Sequence, residues 1–416
     1  MKDSISFLIL IIFSAGTSTA HSLSLDQKLN KIMEVYDIKY KDCRSSMQPS
    51  NQLLIPAGKE IFRSKILSGD KDVSCSTCHI ESKHLIDGLR VSVGVGGYDE
   101  GRKRMMSGGT LVPRNSFTLI GRSSDQYNVY FWDGNIELDN GGHIISPFGK
   151  YIDKKFDSLL SVAAIMPLLA RDEFLGKVEF FNESDNIREI NDKYYQTRYE
   201  AASKLFKIKL KNNPEFTTIK QLLVKGGVDL NSFTMADIGN ALSAFIGSEF
   251  NCKLSNWNRY LKGEKSALSN QQKKGAVLFF GKARCAGCHN GDLFSDFDYH
   301  SIASPQGLVG TSPLGQDLGR ANITNNTTER YKFRTPPLLD VKNTAPYGHS
   351  GQFDTLKEIV MHHFNPVLIF NKYKWKSDIE KIQYGKILGQ RDSILTFYDL
   401  HYETEVDDLI EFLKAL

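Results

Sequence analysis

Apolar residues recur at helical spacing in well-separated stretches, so the chain reads as mainly helix joined by long loops. Leu23 to Tyr40 has the pattern of an amphipathic helix, and Phe233 to Phe250 that of a stronger one. Two shorter periodic runs, Ile61 to Leu67 and Ala276 to Phe280, each read as a helix. A further helix opens at Thr355-Leu356-Lys357-Glu358, where threonine and glutamate stand three apart as a capping box. The periodicity fails between Val91 and Arg114, a basic stretch holding Gly94, Gly96, Gly97, Gly101, Gly108 and Gly109. That density predicts an ordered functional loop or a flap. The domain division is expected just before Phe233, giving segments 21–232 and 233–416.

The apolar run Phe7 to Phe13 follows Lys2 and leads into small residues ending at Ala20. It is too short to span a bilayer and has the form of a secretory signal peptide over residues 1–20, cut after Ala20. The mature chain is therefore expected to be exported to a periplasm, with no membrane span. Composition narrows the partners: the net charge of +4 over 416 residues is small, and with no basic run it gives no reason to expect a nucleic-acid partner.

Two motifs carry the chemistry, Cys75-Ser76-Thr77-Cys78-His79 and Cys285-Ala286-Gly287-Cys288-His289. Each matches the attachment signature of a c-type haem. Cysteines three positions apart on one helical turn reach the two vinyl groups of one haem, and the following histidine lies under the iron. Zinc is the alternative for paired Cys-x-x-Cys units, but such pairs usually stand tens of residues apart rather than about two hundred. Ile61 to Leu67 precedes the first motif as Ala276 to Phe280 precedes the second, so the chain repeats one haem-binding module. Cys43 and Cys252 are left over, and the sequence does not decide whether they pair.

Over nearly its whole mature length the chain resembles the bacterial dihaem cytochrome c peroxidase and MauG family. The resemblance rests on the two haem motifs together with Pro113-Arg114-Asn115-Ser116, Phe131-Trp132-Asp133-Gly134, Lys332-Phe333-Arg334-Thr335-Pro336 and Thr344-Ala345-Pro346-Tyr347-Gly348-His349. It implies two cytochrome c-like haem domains packed face to face, an N-terminal peroxidatic haem and a C-terminal electron-transfer haem. A calcium ion is implied between them, held by the Asn115 side chain and the carbonyls of Thr344 and Pro346. Trp132 is implied to relay electrons between the haems.

The resemblance also directs attention to the sixth ligand of each iron. Counting from the Thr355 cap puts His363 where the peroxidases carry methionine and MauG carries tyrosine. Helical periodicity agrees, since His363 follows Ile359 and Leu356 on the apolar face and His362 follows Glu358 on the polar one. Methionine raises a haem potential, so a histidine here predicts a poorer oxidant. In the glycine-rich loop, Val95 occupies the position where resting peroxidases commonly place a histidine on the N-terminal iron. Valine cannot ligate, which predicts an open N-terminal haem site. His84 reads as a propionate partner or a surface residue, and His143 as solvated.

Peroxide cleavage needs an acid–base group above the iron. The family uses a glutamate six residues after a proline, a spacing matched by Pro167 and Glu173, with Asp153 after Pro147 as the reserve. Where the family often has glutamine four residues before that proline, this chain has Ala163. Two functions follow from the resemblance. The first is reduction of hydrogen peroxide with electrons from a small cytochrome c or cupredoxin. The second is MauG-like oxidation of residues in a protein substrate. A homodimer stays open.

Overall fold

The computed structural model describes residues 23–41, 51–149, 152, 155–176, 195–306, 316–367, 371, 377–395 and 404–416. The signal segment, Cys43 and Asp153 lie outside them. Two hydrophobic cores organise the chain. The first collects the helices Ile55–Arg63, Leu159–Ile165, Tyr195–Asn212, Thr217–Lys225 and Met235–Glu249. The second collects Leu25–Val35, Asn256–Leu261, Asn270–Phe280, Leu356–Phe364 and Glu405–Leu413. The fold is thus mainly α, with two cores joined by long ordered loops.

The same packing device serves both cores. In the first, Gly58 lets the helix ahead of Cys75 press against the helix Met235–Glu249; a Cβ there would lie 1.9 Å from the Ala241 carbonyl oxygen. In the second, Gly275 lets the helix ahead of Cys285 press against Glu405–Leu413, where a Cβ would lie 1.9 Å from the Asp408 carbonyl oxygen. A backbone approach this close admits only glycine. The module repeat read from the two cysteine motifs thus extends to the helix crossing behind each of them.

The division expected before Phe233 falls inside a core. Phe233, Met235, Phe245 and Cys252 are buried with the first core, and the second begins with Trp257. The first helix also crosses over: Leu29 is buried in the second core, and Asp26 accepts from Tyr260 at 2.8 Å and Lys273 at 3.0 Å. A strong amphipathic helix opens no new domain when its apolar face belongs to the preceding core, and periodicity alone cannot tell which core that is. Cys252 is disulfide-bonded.

Short strands brace the seam between the cores. Val129–Tyr130, Ile136–Leu138 and Ile144–Ile145 form an antiparallel meander, and the turn between its first two strands carries Phe131-Trp132-Asp133-Gly134. Gly134 has φ +71°, and a Cβ on it would meet the Tyr299 hydroxyl at 1.6 Å. A second antiparallel pair, Tyr299–His300 with Phe333–Arg334, lies beside it, and the Arg334 amide donates to the Trp132 carbonyl at 2.8 Å. Across the same seam Arg114 bonds Asp133 at 2.6 Å and Asp317 at 2.7 Å.

Candidate active site

Each Cys-x-x-Cys-His unit opens onto its own cavity. Cys75 begins the short helix Cys75–Cys78, capped by Ser74, so both sulfurs and His79 face one space. Cys285, Cys288 and His289 face the other. The four thiols are free, and burial pushes Cys75 and Cys285 up to about 12, which keeps them neutral. Because the two motifs line different cavities, they cannot converge on one zinc ion.

The histidines are set for metal ligation in the same way. His79 Nδ1 donates to the Leu85 carbonyl at 3.0 Å, and His289 Nδ1 donates to the Phe294 carbonyl at 3.0 Å. A hydrogen bond at Nδ1 fixes the tautomer and leaves Nε2 with a lone pair for a metal. Burial holds both near 4, so both are neutral. Two free thiols and one oriented imidazole beside a largely apolar cavity fit a covalently attached haem.

A π-helical turn, Arg171–Leu175, places Glu173 in the wall of the N-terminal cavity. Pro167 and Ala163 line the same cavity. Burial, with Asp172 adding to it, raises Glu173 to about 7. A carboxyl poised there exchanges a proton readily in either direction at neutral pH. Ser92 and Gly94 of the glycine-rich loop also face this cavity. Val95 does not: its side chain is packed in the first core. Among the described lining residues the one histidine is His79. His143 is exposed and bonds Asp139 at 3.1 Å, and His84 bonds Asp340 at 2.6 Å.

In the C-terminal cavity, His363 stands among the lining residues with His289. Its Nδ1 donates to the Ile359 carbonyl one turn back, at 2.7 Å. His362, read as lying on the polar face, is fully buried and bonds the Ile302 carbonyl at 2.8 Å. The helix Leu356–Phe364 is covered on that side too, so the charge pattern of a single face misplaced it. At the cavity edge His300 is clamped between Asp296 at 3.0 Å and Asp392 at 2.9 Å. Asp296 foremost, then the neighbouring Cys288 thiol and Asp392, raise it to about 11.

Five residues line both cavities: Asn115, Ser116, Phe117, Arg122 and Trp132. The Trp132 Nε1 donates to the Asn115 carbonyl at 3.0 Å. Asn115 spends its side-chain nitrogen on the Leu89 carbonyl at 2.7 Å, and it shares the C-terminal cavity wall with Thr344 and Pro346. Arg122 escapes a reading of the sequence because no motif contains it. It is buried, lies 4.2 Å above the Phe117 ring, and has one guanidinium nitrogen with no partner. A buried cation with an unmet donor suits an anionic group in the cavity, and haem propionates supply one.

Known proteins align with this arrangement. A family model described as di-haem cytochrome c peroxidase matches residues 54–266. The cytochrome-c peroxidase IdrP2 of Denitromonas iodatirespirans is 28% identical over 331 residues, covering 74% of this chain and 73% of that one. The cytochrome c551 peroxidase of Pseudomonas aeruginosa is 26% identical, covering 89% and 88%. The methylamine utilization protein MauG of Methylorubrum extorquens is 24% identical, covering 84% and 78%. Among solved structures, the diheme peroxidase BthA from Burkholderia thailandensis superposes with a TM-score of 0.59 at 19% identity over 89% of this chain and 87% of that one. With two haem-attachment cavities and a family match over residues 54–266, the chain belongs to the di-haem cytochrome c peroxidase and MauG family, enzymes with two c-type haems that act on peroxide.

Proposed function

We propose that the protein reduces hydrogen peroxide to water in the N-terminal cavity, with Glu173 as the acid–base group. The observation that carries this reading is the buried carboxyl, raised to about 7, in the same cavity as Cys75, Cys78 and His79. A haem held there by Cys75, Cys78 and His79 would supply the redox chemistry. Glu173 would take a proton from one peroxide oxygen and deliver it to the other, which leaves as water. His79, with Nδ1 bonded to the Leu85 carbonyl, would hold the iron through Nε2. The two electrons that complete the reaction come from a small cytochrome c or cupredoxin through the C-terminal site, with His289 and His363 as iron ligands. Trp132, a wall of both cavities, is the relay between them.

In this reading calcium stiffens the seam, bound by the Asn115 side chain and the carbonyls of Thr344 and Pro346. An all-oxygen donor set suits a hard cation. The working domains are then residues 54–252, and residues 257–416 together with the helix Leu25–Val35, in an exported periplasmic chain.

A second reading, MauG-like oxidation of a protein substrate, is favoured by one observation. The cavity around His79 contains no second histidine among its described lining residues, so a haem held there would need no reductive step to release one.

The test is steady-state turnover of the haem-loaded protein with hydrogen peroxide and a pre-reduced small cytochrome c, beside the Glu173→Gln variant. Donor oxidation by the wild type, reduced about 10²- to 10⁴-fold in the variant, supports the peroxidase. Negligible turnover by the wild type, with a long-lived spectral change on adding peroxide, supports the second reading.

A further inference from the structure

The geometry points to His84 and Asp340 as a pair of positioning residues that lock the imidazole of His79 across the seam between the two cores. The inference rests on His79 being the proximal ligand of the N-terminal haem, as proposed above.

The carbonyl that accepts from His79 Nδ1 belongs to Leu85, and its direction is set by two consecutive residues in the left-handed region. His84 has φ 56° and Leu85 has φ 64°. For residues other than glycine this conformation is unfavourable, so surrounding contacts must hold it. Leu85 is held by burial in the first core. His84 is held at both ends. Its carbonyl accepts from the Thr118 hydroxyl at 2.8 Å, and its Nδ1 stands 2.6 Å from Asp340 Oδ2. A ring nitrogen that close to a carboxylate carries the proton.

Asp340 belongs to the other half of the molecule. It has φ 55° and caps the turn Val341–Asn343, and its second oxygen accepts from the Asn343 side chain at 2.6 Å. Val341, Thr344 and Pro346, directly after it, line the C-terminal cavity. One side-chain contact therefore joins the segment that aims His79 to the segment that walls the other haem site. Both side chains are partly exposed, 35% and 20%, so the pair adds little to global stability. Its effect is on direction: without it the Leu85 carbonyl swings, the Nδ1–H bond weakens, and the imidazole becomes a weaker donor to iron.

Glycine accepts the left-handed region at either position, so His84→Gly and Asp340→Gly remove the contact without imposing a clash. Asp340→Asn tolerates the same backbone and keeps an oxygen acceptor. The measurements are the iron–histidine stretching band of the reduced N-terminal haem, both haem midpoint potentials, and thermal stability. The expected result is a weakened, broadened band and a shifted N-terminal potential in both glycine variants. The double variant should show no further change, Asp340→Asn should restore the band, and the C-terminal potential and melting temperature should hold. An unmoved band in both glycine variants, or equal movement of both potentials, overturns the inference. A band that survives unchanged in His79→Gly overturns the assignment of His79, and this inference with it.

Discussion

The indole Nε1 of Trp132 donates to the backbone carbonyl of Asn115 at 3.0 Å, and both residues line both cavities. One hydrogen bond thus sets the plane of the only tryptophan between two haem-attachment sites among the described residues. Trp132→Phe keeps an aromatic wall but removes the donor and the readily oxidised ring. The bond itself is worth about 1 kcal/mol. The larger effect is expected in rapid mixing of half-reduced protein with peroxide. Oxidation of the C-terminal haem should be slowed far more than reaction at the N-terminal haem. Equal rates in variant and wild type would remove Trp132 from the path.

Glu173 gives a pH dependence with a definite sign. As the base that accepts the peroxide proton it must be ionised, so turnover should rise with pH through about 7. Stability should run the other way. A carboxyl that titrates near 4.5 when unfolded and near 7 when folded binds its proton more tightly in the native state. Its contribution is complete below about 4.5 and is lost as pH rises through 7. Unfolding measured at pH 5 and pH 8 should therefore show Glu173→Gln gaining on the wild type at the higher pH.

His363 makes the C-terminal potential testable. Replacing an imidazole ligand by a thioether raises a haem potential. His363→Met should lift the C-terminal midpoint in spectroelectrochemical titration and leave the N-terminal one in place. A midpoint unchanged by the substitution would show that His363 does not ligate.

The haem chemistry was legible because it is local in sequence: Cys75 to His79 and Cys285 to His289 each fall within one turn of helix. Glu173 was legible only through a spacing from Pro167, and the π-helical turn that aims it has no sequence signature. The pairing of cores was not legible. Phe233 to Cys252 has the same amphipathic pattern whichever core it covers, and Leu29 joins helices more than two hundred residues away. Arg122, His300 and the His84–Asp340 contact were missed for the same reason, since each acquires its meaning from partners brought in by tertiary folding.

The seam carries a buried ion pair whose loss should be costly. Arg114 is bidentate to Asp317 at 2.7 and 3.0 Å and also bonds Asp133. Burial raises the pKa of Asp317, but Arg114 outweighs it and holds the carboxyl at about 2. Arg114→Leu strands two carboxylates and should destabilise by roughly 3–5 kcal/mol, read from thermal unfolding. With a depressed folded pKa, the stabilisation by Asp317 is present above about 3.8 and is lost as pH falls towards 2. The Asp317→Asn variant should lack that acid-dependent loss.

Gly94 connects the glycine-rich loop to the π-helical turn that carries Glu173. A Cβ at this position would lie 1.7 Å from the Asp172 carbonyl oxygen and 3.1 Å from the Glu173 Cα. The loop is fastened there on both sides: the Gly94 amide donates to Thr110 at 2.8 Å, and the Val95 amide donates to Asp172 at 3.2 Å. Backbone on both sides of the contact leaves no flexible side chain to yield. Gly94→Ala must therefore push the loop from the π-helical turn, costing about 1–3 kcal/mol as overpacking. It also moves Glu173 relative to the N-terminal cavity. The displacement should lower turnover with peroxide while both haems stay attached and the C-terminal potential holds. A variant with reduced stability but wild-type turnover would mean that Glu173 keeps its place without the loop, and that the glycine serves packing alone.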